Sequence, residues 1–139
     1  MDYNLNRFLE AQETEYETAL SEIRMGCKYS HWIWFIFPQH KDLGISSTSK
    51  FYGIGSLDEA KQYLEHPILG KRLCEITSEL LKHKAKSAEN IFGHLDAIKV
   101  KSCMTLFDLV KPNDIFRDVL FAFYNDKRDD KTLQLLGKE

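Results

Sequence analysis

The sequence predicts an all-α protein: a single compact domain over 1–139, with six to eight helices around a central apolar helix at 95–110. Three observations carry this. Apolar residues recur at the helical period in every longer segment, no run alternates as a half-buried strand would, and capping and stopping residues punctuate the chain at short intervals. At 139 residues and 43% hydrophobic, the chain can bury a core without disulfides or a structural metal.

The first helix runs from Leu5 to Met25. Leu5, Leu9, Tyr16, Leu20 and Ile23 form its apolar stripe, with Phe8 and Ala19 flanking; Asn4 is placed to cap it and Gly26 to stop it. Glu10, Glu13 and Glu17 fall mainly on the opposite face. Gln12 lies within the stripe, where a buried amide serves either as a tie to neighbouring backbone or as pocket lining. Next comes His31-Trp32-Ile33-Trp34-Phe35-Ile36-Phe37-Pro38-Gln39-His40, which holds both tryptophans and two of the nine phenylalanines. Such rings must enter a core, line a pocket or meet a partner. The segment follows Ser30, a candidate cap, and is ended by Pro38; with no partner strand in the pattern, it reads as a short helix or helical turn.

Lys41 to Gly44 reads as a turn. Ser46 to Ser49 offer caps for a short helix reaching Tyr52, which Gly53 and Gly55 break. Ser56-Leu57-Asp58-Glu59 is a capping box for a helix through Leu64, closed before Pro67. Ile68 to Lys84 continues as a long amphipathic helix with Leu73, Ile76, Leu80 and Leu81 inside. Ser87 caps a brief helix ending at Gly93. Leu95 to Val110 is apolar almost all round, with Leu95, Ile98, Leu106 and Leu109 on one side and Val100, Met104 and Phe107 on another. A helix with two apolar faces is central, packed on both sides. Ile115 to Tyr124 follows Pro112-Asn113-Asp114, and Asp129 or Asp130 caps a last turn carrying Leu133, Leu135 and Leu136.

Composition narrows the function classes. A formal net charge of −2 with 29% charged residues argues against a dedicated nucleic-acid or membrane-surface binder. Trp32 to Phe37, the longest apolar run, is too short to span a bilayer, and Met1 to Asn4 opens no signal peptide, so the expected setting is cytoplasmic. Cys27, Cys74 and Cys103 form no Cys-x-x-Cys pair and read as free thiols, with Cys103 a packed core thiol rather than a nucleophile. The five histidines show no i,i+4 pairing, and dinucleotide, P-loop and zinc-protease signatures are missing from the sequence. No metal and no cofactor are expected. The basic run Lys82 to Lys86 reads as a helix-end dipole match and solvated turn.

Candidate site residues remain. His31 and His40 bracket the aromatic stretch; either could act as a base or bind an anion, and either could simply hold a turn. Gln39, after the Pro38 break, is placed to point an amide into a cavity. Trp32 and Trp34 cannot share one helical face, so one packs inward while the other meets a second layer, a groove or a ligand. Ser47 lies in a serine cluster at a helix start with Lys50 beside it, which reads as an anion site or as plain capping. Lys99 and Ser102 lie within or beside the stripe of the central helix. Lys99 needs a carboxylate partner, Asp96 or an acidic residue of the first helix, or else reaches toward a substrate anion.

His31-Trp32-Ile33-Trp34-Phe35-Ile36-Phe37-Pro38-Gln39, Tyr52, Ser56-Leu57-Asp58-Glu59-Ala60, His66-Pro67-Ile68-Leu69-Gly70 and Ser102-Cys103-Met104-Thr105-Leu106-Phe107 together resemble the bacterial family known as domain of unknown function 1810. The likeness runs from Asn6-Arg7-Phe8 through Thr132-Leu133; Cys103 departs from the serine usual in the family. The resemblance implies a small, mainly helical single domain and no particular activity, and the calpastatin label sometimes attached to such sequences has no basis in these residues. Two functional expectations follow. One is a small anionic or nucleotide-like metabolite bound in an aromatic-lined pocket near residues 31–50 by His31, Trp32, Trp34, Gln39, Ser47, Lys99 and Ser102. The other is a non-catalytic protein–protein interaction module of unknown partner.

Overall fold

The computed structural model describes residues 3–138, and among them the chain forms nine α-helices and no strand. The helices are α1 Asn6–Met25, α2 Ile33–Ile36, α3 Ser47–Phe51, α4 Leu57–Glu65, α5 Leu69–Leu81, α6 Ala88–Phe92, α7 His94–Val110, α8 Ile115–Phe123 and α9 Asp130–Leu135. The count is one above the six to eight expected; α2, α3 and α6, where the sequence reads as short helices, are single turns of four or five residues. Lys41–Leu43 is a 3-10 turn.

The apolar two-faced helix is central. α7 packs against α4, α6, α8 and α9, while α5 packs against α1, α4 and α8. Val100, Cys103, Met104, Leu106 and Phe107 of α7 are fully buried. A ladder of rings crosses the core from α1 to α8, with centroids 5.0 Å apart for Phe8–Tyr63, 5.5 Å for Tyr63–Phe107 and 5.7 Å for Phe107–Phe116. Spacings in this range suit tilted and edge-on aromatic pairs, which add to the burial term. Burial pushes the Cys103 thiol well above its ordinary pKa, so it is a protonated core residue.

Several helix ends depart from the sequence reading. Asn4 does not cap α1: Leu5 holds the cap position without a side-chain hydrogen bond, and the Asn4 carbonyl accepts from Arg7 Nη1 instead. Helix α5 stops at Leu81, short of Lys84, and the basic turn beyond it folds onto the end of α1. There Lys86 Nζ donates to Gly26 O at 3.1 Å and the His83 ring meets Arg24 O at 3.1 Å, so these side chains serve the negative end of α1. The capping box at Ser56 is half formed. Ser56 Oγ accepts from Glu59 N at 3.1 Å, but Glu59 Oε1 accepts from Gly55 N rather than from Ser56. Gln12 is a structural tie, donating to Phe35 O at 2.7 Å and to the Tyr63 hydroxyl at 3.0 Å.

The aromatic segment makes one helical turn and then leaves it at Pro38. The extended backbone that follows pairs with Ile54: Ile54 N donates to Gln39 O at 2.9 Å and Lys41 N donates to Ile54 O at 3.0 Å. This isolated parallel bridge locks Gln39 to the loop before α4.

α4 and α5 meet at Gly70, where a Cβ would lie 1.9 Å from Leu64 O. The obstacle is backbone, which cannot swing aside. Gly70→Ala is therefore expected to cost about 2–3 kcal/mol despite alanine's better helix propensity. Urea denaturation checks this, and an unchanged midpoint would contradict the packing.

Candidate functional site

The turn between α1 and α2 decides which tryptophan is inside. Glu22, buried on α1, accepts from Tyr29 N at 2.7 Å, Ser30 N at 2.9 Å, Ser30 Oγ at 2.6 Å and the Trp32 indole Nε1 at 3.0 Å. Trp32 is thereby fixed in the core with its one polar atom satisfied, and its expected place in a ligand site is corrected. Trp34, two residues on, faces the other way and is half-buried.

Trp34 forms one wall of a cleft of about 320 Å³ between the aromatic segment, α7 and the start of α9. Gln39, Leu43 and Gly44 continue that wall; Leu95, Ile98, Lys99 and Ser102 of α7 form the opposite one; Asp129 and Lys131 close the end. The volume lies at the lower end of the range for small-molecule sites. Local chemistry explains each wall. Gly44 leaves the space that the Ser49 side chain fills, since a Cβ there would sit 2.2 Å from Ser49 Oγ. The start of α9 is held on α7 because Thr105 Oγ1 accepts from Asp129 N at 2.8 Å and Arg128 donates to Asp108 Oδ2 at 2.9 and 2.6 Å.

Behind the cleft wall, Asp96 pairs with two lysines, of which only Lys99 lines the space. Asp96 Oδ1 is 2.9 Å from Lys99 Nζ and Asp96 Oδ2 is 2.8 Å from Lys28 Nζ. Burial raises the Asp96 pKa, but the two ammonium groups outweigh it and hold the carboxyl below its ordinary range. Each lysine also lies over a tryptophan: Lys28 Nζ is 5.1 Å from the Trp32 ring centre and Lys99 Nζ 4.2 Å from that of Trp34. Such cation–π contacts contribute about 0.5–2 kcal/mol each.

Gln39 brings an amide to the cleft wall. It is only 7% exposed, its backbone carbonyl serves Ile54, and its carboxamide bonds to no described residue. The described buried side-chain atoms left without a partner are Thr77 Oγ1 and Asp108 Oδ1; the Gln39 amide instead opens onto the cleft, where it offers a solvent-facing hydrogen-bonding edge. Ser102, by contrast, returns its hydroxyl to Ile98 O at 3.2 Å and lines the wall as a small side chain.

Four of the seven expected site residues, Trp34, Gln39, Lys99 and Ser102, thus meet in one cleft. Three do not. Trp32 is core. His31 is exposed and outside the lining. Ser47 is exposed in the first turn of a five-residue helix whose cap is Ser46, its hydroxyl accepting from Ser49 N at 3.1 Å. His40 is structural: its Nδ1 accepts from Asp42 N at 3.1 Å, and burial lowers its pKa. Leu95 and Ile98, expected inside the central helix, are 70% and 48% exposed at the mouth of the cleft. They and Lys131 were not legible as site residues, since an apolar pair on a two-faced helix gives no sign that one end is uncovered.

A larger cleft of about 520 Å³ lies beyond Ile98. Its polar groups are engaged or solvated: the Tyr124 hydroxyl donates to Ala97 O at 2.7 Å, and His94 faces Glu89 at 3.6 Å in the open. The described residues hold no cluster of three or more potential metal ligands, and no described helix is long and apolar enough to cross a membrane.

Residues 2–136 match the family described as Protein of unknown function (DUF1810). Among solved structures, the chain is similar to the conserved hypothetical protein Rv1873 from Mycobacterium tuberculosis, with 41% identity, a TM-score of 0.95 and 97% of each chain covered. No curated protein matches it.

Proposed function

The chain belongs to the DUF1810 family, and on that premise we propose that the cleft between Trp34, Gln39 and Lys99 binds a small anionic, nucleotide-like molecule. The observation that carries this reading is Gln39, whose carboxamide bonds to no described residue and opens onto a mostly apolar cleft flanked by Lys99 and Lys131. A ligand ring would lie against Leu43, Leu95 and Ile98, its polar edge would meet the Gln39 amide, and its anionic group would face Lys99 and Lys131. Binding rather than catalysis fits the lining. It contains no histidine, and its one serine hydroxyl donates to backbone.

A thermal-shift panel of nucleotides, sugar phosphates and aromatic acids tests this. One class is expected to raise Tm by several degrees, and Gln39→Leu is expected to remove the rise while leaving the ligand-free Tm nearly unchanged, because an amide that bonds to no protein group is replaced by an apolar group of similar size. A flat response across the panel would overturn the reading. It would favour the second one, a protein-docking face, for which the exposure of Leu95 and Ile98 is the supporting observation.

A further inference from the structure

Asp96 has two lysine partners, one on each carboxylate oxygen, and they are not equivalent. The Lys28 side chain is 8% exposed and lies against the core tryptophan Trp32, whereas Lys99 is 23% exposed and lies over Trp34 in the cleft wall. Either ammonium alone neutralises the carboxylate. Together they leave one positive charge in excess at the wall, and only Lys99 lines the space where a ligand would sit.

We infer that Lys28 and Asp96 are positioning residues that make Lys99 transferable: Lys99 rests on Asp96 and Trp34, and moves to an incoming anion while Lys28 keeps Asp96 neutralised. This deepens the reading of the cleft as an anion-binding site and rests on it. Without Lys28, withdrawal of Lys99 would strand a half-buried carboxylate, which is strongly unfavourable. Lys28 thus acts on the ligand from behind the wall, through a carboxylate that does not itself line the cleft.

The two residues carry opposite predicted signs, which a merely structural ion pair would not. Lys28→Met leaves Asp96 to Lys99 alone and is expected to weaken binding of AMP about tenfold, with adenosine unchanged. Asp96→Asn frees both ammonium groups and is expected to tighten AMP binding several-fold, again with adenosine unchanged. Lys99→Met, on the more exposed side chain, reproduces the loss should Lys28→Met not fold. Calorimetric titration of the full chain reads the affinities. Equal AMP affinity in wild type and variants, or a fall in both Lys28→Met and Asp96→Asn, overturns the inference while leaving the cleft as a binding site. If neither AMP nor adenosine binds the wild type, the nucleotide-like reading of the cleft falls, and inorganic phosphate then decides the inference alone. Phosphate is expected to shift the NMR signals of the Lys99 ε-methylene protons away from their ring-shielded position over Trp34, less so in Lys28→Met. No movement in the wild type overturns it.

Discussion

Glu22→Ala is expected to destabilise the protein by about 3–4 kcal/mol, lowering Tm by roughly 10–15 °C. The carboxylate collects two backbone N–H groups, a serine hydroxyl and the indole of a fully buried tryptophan. Truncation removes the acceptor for all four and leaves the Trp32 N–H buried without a partner. Burial raises the Glu22 pKa, but the hydrogen bonds from Ser30, Tyr29 and Trp32 outweigh it and bring the group down to about 2. The sign of the pH dependence follows. A carboxyl depressed in the folded state contributes its stability fully above its unfolded pKa, and that contribution fades as pH falls from about 5 toward about 2. Glu22→Gln is therefore expected to cost about 2 kcal/mol at neutral pH, with the gap to wild type closing through that window. Urea denaturation of both proteins across the range reads the gap directly, and shared contributions from other carboxyls cancel. A gap that stays constant with pH would mean that charge is not what holds the turn.

Functional consequences extend beyond stability. The turn that Glu22 organises also places Lys28, whose backbone N–H donates to Ile91 O at 2.7 Å and whose ammonium reaches Asp96. The same carboxylate that seats Trp32 inside leaves Trp34 facing the cleft. One buried acid on α1 therefore sets both the aromatic wall and the charge behind it.

What the sequence could show was whatever is decided within a few residues. The stripes of α1 and α5 and the two-faced character of α7 were legible, as were the caps at Ser56 and Ser87 and the stop at Gly93, whose φ is 85°, while Ser46 and Asp129 were each one of several caps on offer. It was also legible that Trp32 and Trp34 face opposite ways; which one is inside was not, because Glu22 decides that from the preceding helix. Arg7 and Glu59 gave no signal for the same reason. Each reads as a surface or capping residue locally, and their partnership spans 52 positions. The candidate site suffered likewise. Gln39, Lys99 and Ser102 stood out singly, but the cleft closes only where residues 34–44, 95–102 and 129–131 converge, and no local pattern reports that convergence. His31 and Ser47 were drawn in by proximity along the chain, which a helical turn followed by a proline break does not preserve in space.

Arg7→Met is expected to be the most damaging substitution, costing about 3–5 kcal/mol. The guanidinium is buried with every nitrogen engaged: Nε donates to Phe51 O at 2.7 Å, Nη1 to Asn4 O at 2.5 Å, and Nη2 to Gly53 O at 2.8 Å and Glu59 Oε2 at 2.7 Å. Methionine keeps much of the volume but strands Glu59 as an uncompensated buried carboxylate and leaves three carbonyls without a donor. Arg7→Lys keeps the charge but cannot reproduce the planar fork, so it is expected to recover only part of the loss. The double variant Arg7→Met/Glu59→Met removes the stranded charge and is expected to be more stable than Arg7→Met alone, with a coupling of about 1–3 kcal/mol. It should still fall short of wild type because the Phe51 and Gly53 carbonyls stay unpaired. Those carbonyls also connect the pair to the cleft. Gly53 precedes Ile54, whose backbone holds Gln39 and Lys41 in the parallel bridge. A loosened 51–55 loop would let Gln39 drift, so Arg7→Met is expected to weaken any ligand-induced rise in Tm by more than its fall in stability explains. Hydrogen exchange at Ile54 N–H and Lys41 N–H measures that loosening. Protection unchanged from wild type would confine Arg7 to the core and separate it from the site.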